Sequence, residues 1–392
     1  MVSVPASEIG LALAVGFLLL SGLPLRWPRI AIPLGLFLGW TLLSLAFSPD
    51  PAGGMTQVNK MIVFLTLLTF FSAVRSRSEI KILFLAWATL GSYTAGLGLF
   101  QFAKKWHAAQ ALHRDFYHYY LDSRITGFQD HWMTFSGQEL YVLLMLAAFL
   151  LFGSSIRKTI WIWLPCLVVI GTALILSFTR GSIAAAVVAL AWLLWDWKPK
   201  SLLAFPVLLL LVFLAGPASL RTRVNSLFHP EDKIDSNTHR KIVWRTGWEM
   251  VKAHPLLGVG PEEISKPKVF FAYLPKDIPL PLPPGYYQHL HSIYVHYAAE
   301  RGLPAAVFLT GALLMALFDF RRALKTLPPG RSDRRFILQF ASATVVGTMI
   351  IGAVDLNLGL TAELTMFLVV MCLGYRAAAA PDEPIPDDAI PL

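Results

Sequence analysis

Between Gln288 and Phe308 the chain reads QHLHSIYVHYAAERGLPAAVF, and it changes character midway. His289, His291, His296 and the Glu300–Arg301 pair come first; an apolar run beginning near Leu303 follows. Such a run suits a bilayer-crossing helix, which needs about 20 mostly apolar residues. A cluster of titratable side chains therefore stands at the mouth of a membrane span.

Composition supports the span. Of 392 residues, 56% are hydrophobic and only 15% charged, with a mean hydropathy of +0.58; a soluble domain is roughly a quarter charged. The formal net charge is +9, which in a membrane protein marks one set of loops and gives no reason to expect nucleic acid. Cys166 and Cys372 both sit in apolar stretches, so buried thiols are expected in place of a disulfide framework or zinc site. The opening MVSVPASEIG lacks a basic n-region, and its apolar run is expected to remain as a span.

Apolar stretches begin near Ile9, Ile30, Met61, Ile80, Phe135, Thr159, Ile183, Ser201, Leu303, Phe336 and Leu360. They predict an all-α polytopic membrane protein with a bundle of about 11 to 12 transmembrane helices. Arg26 and Arg29; Arg75, Arg77 and Lys81; Arg157 and Lys158; Lys198 and Lys200; and Arg321 to Arg335 fall in alternate connections. The positive-inside rule makes those cytoplasmic, with the N-terminus outside and the C-terminus inside. The expected organisation is a transmembrane part over residues 1–217 with an outer loop at 105–134, a large outer loop at 218–291, C-terminal helices at 292–376 and a disordered acidic tail at 377–392. Long connections in compact proteins are usually functional, so the chemistry is expected outside.

The large loop contains SNTHRKIVWRTGWEMVKAHP, which predicts a helix capped by Ser236 or Asn237 and stopped at Pro255. Trp244, Trp248 and Val251 are expected along one face, as on a helix lying at the membrane surface. PLPLPP at 279–284 should be stiff and extended. Arg180 lies in a short turn between spans; an unpaired arginine at membrane depth is costly, so it either snorkels to the interface or holds an anion. Arg240 and Arg245 on the loop helix read singly as solvated charges, yet Arg240 converging with Arg180 could clamp a lipid pyrophosphate. His291 is the default general base at neutral pH, and His296 and Glu300 share a helical face. The three histidines match no strong zinc spacing, so no metal or other cofactor is expected. LGVGP lacks the features of a dinucleotide fingerprint and reads as a turn.

Three segments together resemble one family. LSFTRGS at 176–182, R-KIV-W at 240–244 followed by HPLLGVGP at 254–261, and HSIYVHYAAERGLP at 291–304 are similar, in order and spacing, to the signature of the O-antigen ligase and polymerase superfamily of bacterial membrane glycosyltransferases. The resemblance covers roughly Thr172 to Phe318, and RITGF at 124–128 looks like the family's earlier outer loop. His291, Ser292 and Gly302 fit the family's histidine motif, while Ala305 stands where the pattern has Gly, Thr or Tyr.

The resemblance implies a bundle of about twelve transmembrane helices, His291 as catalytic histidine, and Arg180 and Arg240 on the donor's pyrophosphate. Arg124, Arg245, Trp244 and Glu300 are further candidates for substrate binding. The implied donor is a glycan on undecaprenyl pyrophosphate, at the periplasmic face of the bacterial inner membrane. A ligase passes the glycan to lipid A-core; a polymerase passes it to another repeat unit. Two other classes stay open: a transporter for lipid-linked sugar, for which Glu139 and Glu363 in or near spans speak, and a structural component whose outer loop binds a partner.

Overall fold

The computed structural model describes residues 4–74, 76–121, 123–154, 156–225, 236–282 and 289–379, and all regular elements among them are helical. The first half comprises α1 (Val4–Leu20), α2 (Ala31–Ala46), α3 (Pro51–Lys60), α4 (Leu65–Ala73), α5 (Arg77–Ala111), α6 (Phe116–Leu121), α7 (Trp132–Phe152), α8 (Ile156–Leu176) and α9 (Arg180–Trp197). There follow α10 (Phe205–Ala215), α11 (Ala218–Asn225), α12 (Ser236–Ala253), α13 (Pro267–Ala272), α14 (Ile293–Arg301), α15 (Leu303–Thr326), α16 (Asp333–Gly352) and α17 (Thr361–Ala378). Short 3-10 turns join α3 to α4 at Met61–Phe64 and α16 to α17 at Asn357–Gly359.

The chain is an all-α polytopic membrane protein. Among the described residues seven helical stretches, one of them Pro51–Ala73 running through α3 and α4, are long and apolar enough to cross a membrane, and the bent pair formed by Pro199–Ala215 and Ala218–Asn225 makes an eighth if it is one span. This is fewer than the expected 11 to 12, although each apolar stretch starts on or beside a helix. The difference has a physical cause: α1 and α2, with 17 and 16 residues, fall short of a full crossing, and α9 is diluted by Arg180 and Asp196 near its ends.

The core lies around α7 and α16, whose spans are 83% and 78% buried. A helix apolar on all sides, like α7, is stable only when surrounded. Helix α16 packs on α9, α7, α17 and α15, and α2 packs on α15. Because lipid supplies no hydrogen bonds, buried hydroxyls pair across helices: Ser136 with Ser182 at 2.8 Å and Tyr141 with Thr348 at 3.1 Å.

The two ends of the bundle differ. One gathers basic connections tied to the helices, as where Arg29 meets Asp319 at 2.8 Å, Arg321 meets Asp196, and Arg376 donates to the Val74 carbonyl at 2.9 Å. The other end brings together the 112–131 connection and the segment between α10 and α14. Arg75, the side chains of Ser236, Asn237, Arg157 and Lys158, part of the proline run and the tail from residue 380 lie outside the described residues.

Helix α12 packs on α14 by part of the expected stripe, Val251 and Trp244. Val243, Met250 and Val251 are buried with Leu290, Ala298 and Ala299, whereas Trp248 is 54% exposed. The buried face is displaced around the helix because the protein's own α14 covers it.

The turn after α12 explains two motif glycines. Val259 and Gly260 donate backbone N–H groups to the carbonyls of Ala299 and Glu300 at 2.9 Å, laying the turn against the end of α14. Gly302 has φ +89, and any Cβ there would run into the Leu256 carbonyl; a positive φ and close backbone approach both demand glycine. Gly302→Ala should therefore cost more than about 2 kcal/mol, seen as a lower melting temperature by intrinsic fluorescence in detergent.

Candidate active site

His291 sits between the outer segment and α14, at φ +46, a left-handed conformation that non-glycine residues adopt rarely and often at functional sites. Its neighbours hold it there. Ser292 caps α14 by accepting from the Val295 N–H, and the Trp244 indole N–H donates to the His291 carbonyl at 3.4 Å. The imidazole is packed among others: the His289 ring centre lies 4.1 Å away and that of His239 5.1 Å away. The Nδ1 atoms of His289 and His291 are buried and meet no hydrogen-bond partner among the described residues. Burial, followed by His289, Arg240, His239 and His131, pushes the His291 imidazole far below its ordinary 6.5, to about 2. The ring is neutral at physiological pH and has a nitrogen able to take a proton.

The arginines approach from four segments. Arg180 opens α9 after a turn in which Phe178 has φ +53. That turn is a hub: the Phe178 carbonyl accepts from Arg223 Nε at 3.3 Å, and the Leu176 carbonyl accepts from the Tyr120 hydroxyl at 2.6 Å. The Tyr120 oxygen in turn accepts the Ile125 N–H at 3.3 Å, which fixes the adjoining Arg124. The Arg124 guanidinium lies over the Trp132 ring at 4.8 Å. Burial, then the charges of Arg223 and Arg180, lower Arg124 to about 9, so three guanidinium groups lie close enough to repel one another.

Arg240 joins from α12. Its Nε donates to the Val354 carbonyl at 3.0 Å, and the Val354 side chain packs on Gly181, where a Cβ would stand 2.8 Å from Val354 Cγ2. Arg240 is thus tied to the residue covering the first turn of α9, beside Arg180. His131 closes the circle: it caps α7, accepting the Met133 N–H at 3.2 Å, and feels both Arg124 and His289.

A carboxylate borders this cationic basin. Asp355 follows Val354, accepts the Leu356 N–H at 2.8 Å on Oδ1, and leaves Oδ2 buried without a hydrogen-bond partner among the described residues. Burial raises it to about 6 against the lowering effects of that N–H and of Arg240. Glu363, in the first turn of α17, lies within electrostatic reach of Asp355, and its carboxyl fills the notch left by Gly137 on α7.

The structure thus gathers His291, Arg180, Arg240, Arg124 and the Trp244 indole. It does not bring Arg245 or Glu300 there. Arg245 points outward and pairs with both oxygens of Asp277 at 2.8 Å. Glu300 is buried in another network, accepting from Arg301 Nε at 2.9 Å and the Glu262 N–H at 3.0 Å, with His296 Nε2 3.6 Å away. Burial alone would raise the Glu300 carboxyl, but His296, Arg301 and that N–H hold it below its ordinary value. Arg301 continues the network to Thr41 and Gln57, so Glu300 clamps α14 to α2 and α3.

Sequence reasoning missed Arg223, His131, His239 and Asp355. Asp355, alone between two apolar stretches in the turn GAVDLNLG, carried a signal of its own, because an isolated carboxylate at membrane depth needs a reason. The other three resemble ordinary loop residues until the chain folds.

A bundle of apolar helices with arginines and histidines gathered at one end defines a polytopic membrane protein. A family model described as O-antigen ligase matches residues 165–310, which contain Arg180, Arg223, Arg240 and His291. Over this stretch the match supports the likeness to the O-antigen ligase and polymerase superfamily. A search of the curated proteins found no match.

Asp355 carries a pH signature. Its folded-state pKa is raised, so its contribution is favourable while it is protonated and is lost as pH rises from its ordinary value of 3.8 through about 6. Asp355→Asn, which mimics the protonated form, should raise the melting temperature above pH 6, with a gain on the order of 2 kcal/mol that fades toward pH 4; thermal unfolding at the two pH values checks it.

Proposed function

We propose that the protein transfers a glycan from undecaprenyl pyrophosphate to the hydroxyl of an acceptor sugar, at the periplasmic face of the bacterial inner membrane. The leading form is an O-antigen ligase acting on lipid A-core; a polymerase would perform the same step on another repeat unit. One observation carries the reading: Arg124, Arg180, Arg223 and Arg240 approach from separate segments beside a neutral, half-buried His291. Guanidinium groups gathered from separate segments suit the several oxygens of a diphosphate.

The chemistry needs charge neutralisation on one side and a base on the other. In a single displacement the acceptor oxygen forms a bond to the anomeric carbon as the bond from that carbon to the diphosphate oxygen breaks, with inversion. The departing diphosphate keeps the electron pair and needs no proton. Guanidinium groups fork onto its oxygens and supply the positive charge that a divalent metal supplies elsewhere. The acceptor proton passes to His291.

The same electrostatics make the base depend on the donor. Without an anion, burial first, and then His289, Arg240, His239 and His131, disfavour imidazolium; a bound diphosphate acts on the charge part of that effect. His291 therefore becomes more basic when the leaving group is in place. Trp244 fixes the backbone of His291 and serves as a positioning residue.

The transporter reading retains one observation: Glu139 Oε2 and Glu363 Oε1 are buried without hydrogen-bond partners among the described residues. Flux of lipid-linked glycan in proteoliposomes without glycan transfer would favour it.

In a purified assay with lipid-linked donor, His291→Ala should lower kcat by about 10²- to 10⁴-fold, and Arg180→Ala or Arg240→Ala should abolish transfer, all three eluting as folded protein. Full activity of His291→Ala would remove its role as base. Transfer should also persist in EDTA; a loss restored by magnesium or manganese would overturn the arginine mechanism.

A further inference from the structure

A second feature lies on the other flank of the bundle. Along α2 two hollows meet, both lined by Leu34, Leu38, Met61 and Phe64. The lower one, toward Trp27 and Arg29, has a volume of about 590 Å³, within the range of ligand sites, roughly 300–1,000 Å³. The upper one is narrower, about 40 Å³, and reaches Gln57, Lys60 and Arg301 at the end where His291 lies. Together they form an apolar groove along the membrane-crossing direction with a polar mouth. The break between α3 and α4 creates it, because the 3-10 turn Met61–Phe64 places Met61 and Phe64 in its wall.

The mouth adjoins the basin. Tyr297 of α14, the helix that starts two residues after His291, lines the groove, as do Leu358 and Gly359 of the turn that follows Asp355. Arg301 is spent within the protein on Glu300, Thr41 and Gln57. The Lys60 side chain is 46% exposed and pairs loosely with Glu262 at 3.9 Å, so the mouth carries a half-exposed cation beside a carboxylate.

The groove is on the wrong side for the donor's chain. Arg180 and Arg223 place a diphosphate by α9 and α11, next to α10, none of whose residues is buried. Helices α15 and α16 stand between α9 and α2. A polyprenyl chain attached to that diphosphate leaves along α9 to α11. An amphiphile entering from the α2 flank meets hydrocarbon-lined walls, then a lysine, then the base.

We infer that the α2 groove seats an acyl chain of the acceptor, a lipid with an anionic saccharide head, and so delivers the acceptor to His291 from the flank opposite the donor. This rests on the glycosyl-transfer reading and deepens it: the acceptor is held by its lipid as well as by its sugar.

Gly35 permits a direct test. It lines the lower hollow, and a Cβ built on it meets nothing within 4 Å, so Gly35→Phe, or the milder Gly35→Leu, fills the groove without striking the protein. Gly96 on α5 is equally open but away from the groove, so Gly96→Phe is the control. Each variant is assayed with undecaprenyl pyrophosphate-linked glycan and two acceptors: acylated lipid A-core, and the core oligosaccharide freed of its acyl chains. Gly35→Phe should raise KM for the acylated acceptor about tenfold or more, the effect of displacing about two methylene groups. KM for the donor and for the acyl-free acceptor should not change, and Gly96→Phe should alter none of them. An unchanged KM for the acylated acceptor, or equal rises with both acceptors, would overturn the inference. If the wild type transfers to neither acceptor, the function reading fails on its own. The groove is then judged by native mass spectrometry with added lipid A-core: retention by the wild type and loss in Gly35→Phe supports it, and equal retention sinks it.

Discussion

Like charge held together in a poor solvent for charge is the constraint on which the rest of the structure depends. Arg124, Arg180 and Arg223 lie within mutual repulsion, with Arg240 tied in through Val354. A guanidinium does not escape by giving up its proton, as a buried lysine or histidine does. It must be anchored. Backbone carbonyls at Phe178 and Val354 take part of that task, and both belong to turns at the ends of core helices. The rigidity of α7, α9 and α16 is therefore what makes the basin possible. A looser bundle would let the arginines move apart into water.

The histidine side of the basin depends on backbone more than on charge. His291 occupies a left-handed conformation, and Gly302, at the far end of α14, occupies another. Between them α14 is fastened by the turn at Gly258–Gly260 and by the buried Glu300–Arg301 network reaching α2 and α3. The residues of the family-like motif thus fall into two groups. His291 presents chemistry, whereas Ser292, Glu300, Arg301 and Gly302 fix the helix that presents it. From sequence Glu300, four residues after His296, stood either to orient an imidazole or to bind sugar; it lies 3.6 Å from His296 Nε2 and is held by Arg301 in the clamp between α14, α2 and α3.

The fold was readable because the hydrophobic effect writes itself in composition and run length, and each apolar stretch became helix. The number of crossings was less readable, since α1, α2 and α9 owe their places to packing as much as to their own length or apolarity. In the site, Arg180 and His291 stood out by position against apolar surroundings. Arg223 and His239 did not, because their roles arise from contacts between segments far apart in the chain. Asp355 was hidden by the assumption that chemistry belongs to long loops; it lies in a turn of a few residues, made important by Arg240 coming to it from α12. Trp248 failed for a related reason. Helical periodicity states which residues share a face, not which face a neighbour covers.

Placing cations on one side of a neutral imidazole and a buried carboxylate on the other gives the site an order of events. Before an anion arrives, burial and the field around His291 oppose protonation, so a lone acceptor hydroxyl finds no effective base. Once a diphosphate offsets the arginines, the same ring can hold the acceptor's proton, and Asp355, already within reach of Arg240, limits how much positive charge that anion must meet. Release then reverses the order. On the glycosyl-transfer reading proposed above, the protonated ring would attract the diphosphate until its proton is lost to solvent. On that reading, charge balance would couple donor binding, activation of the acceptor and product release.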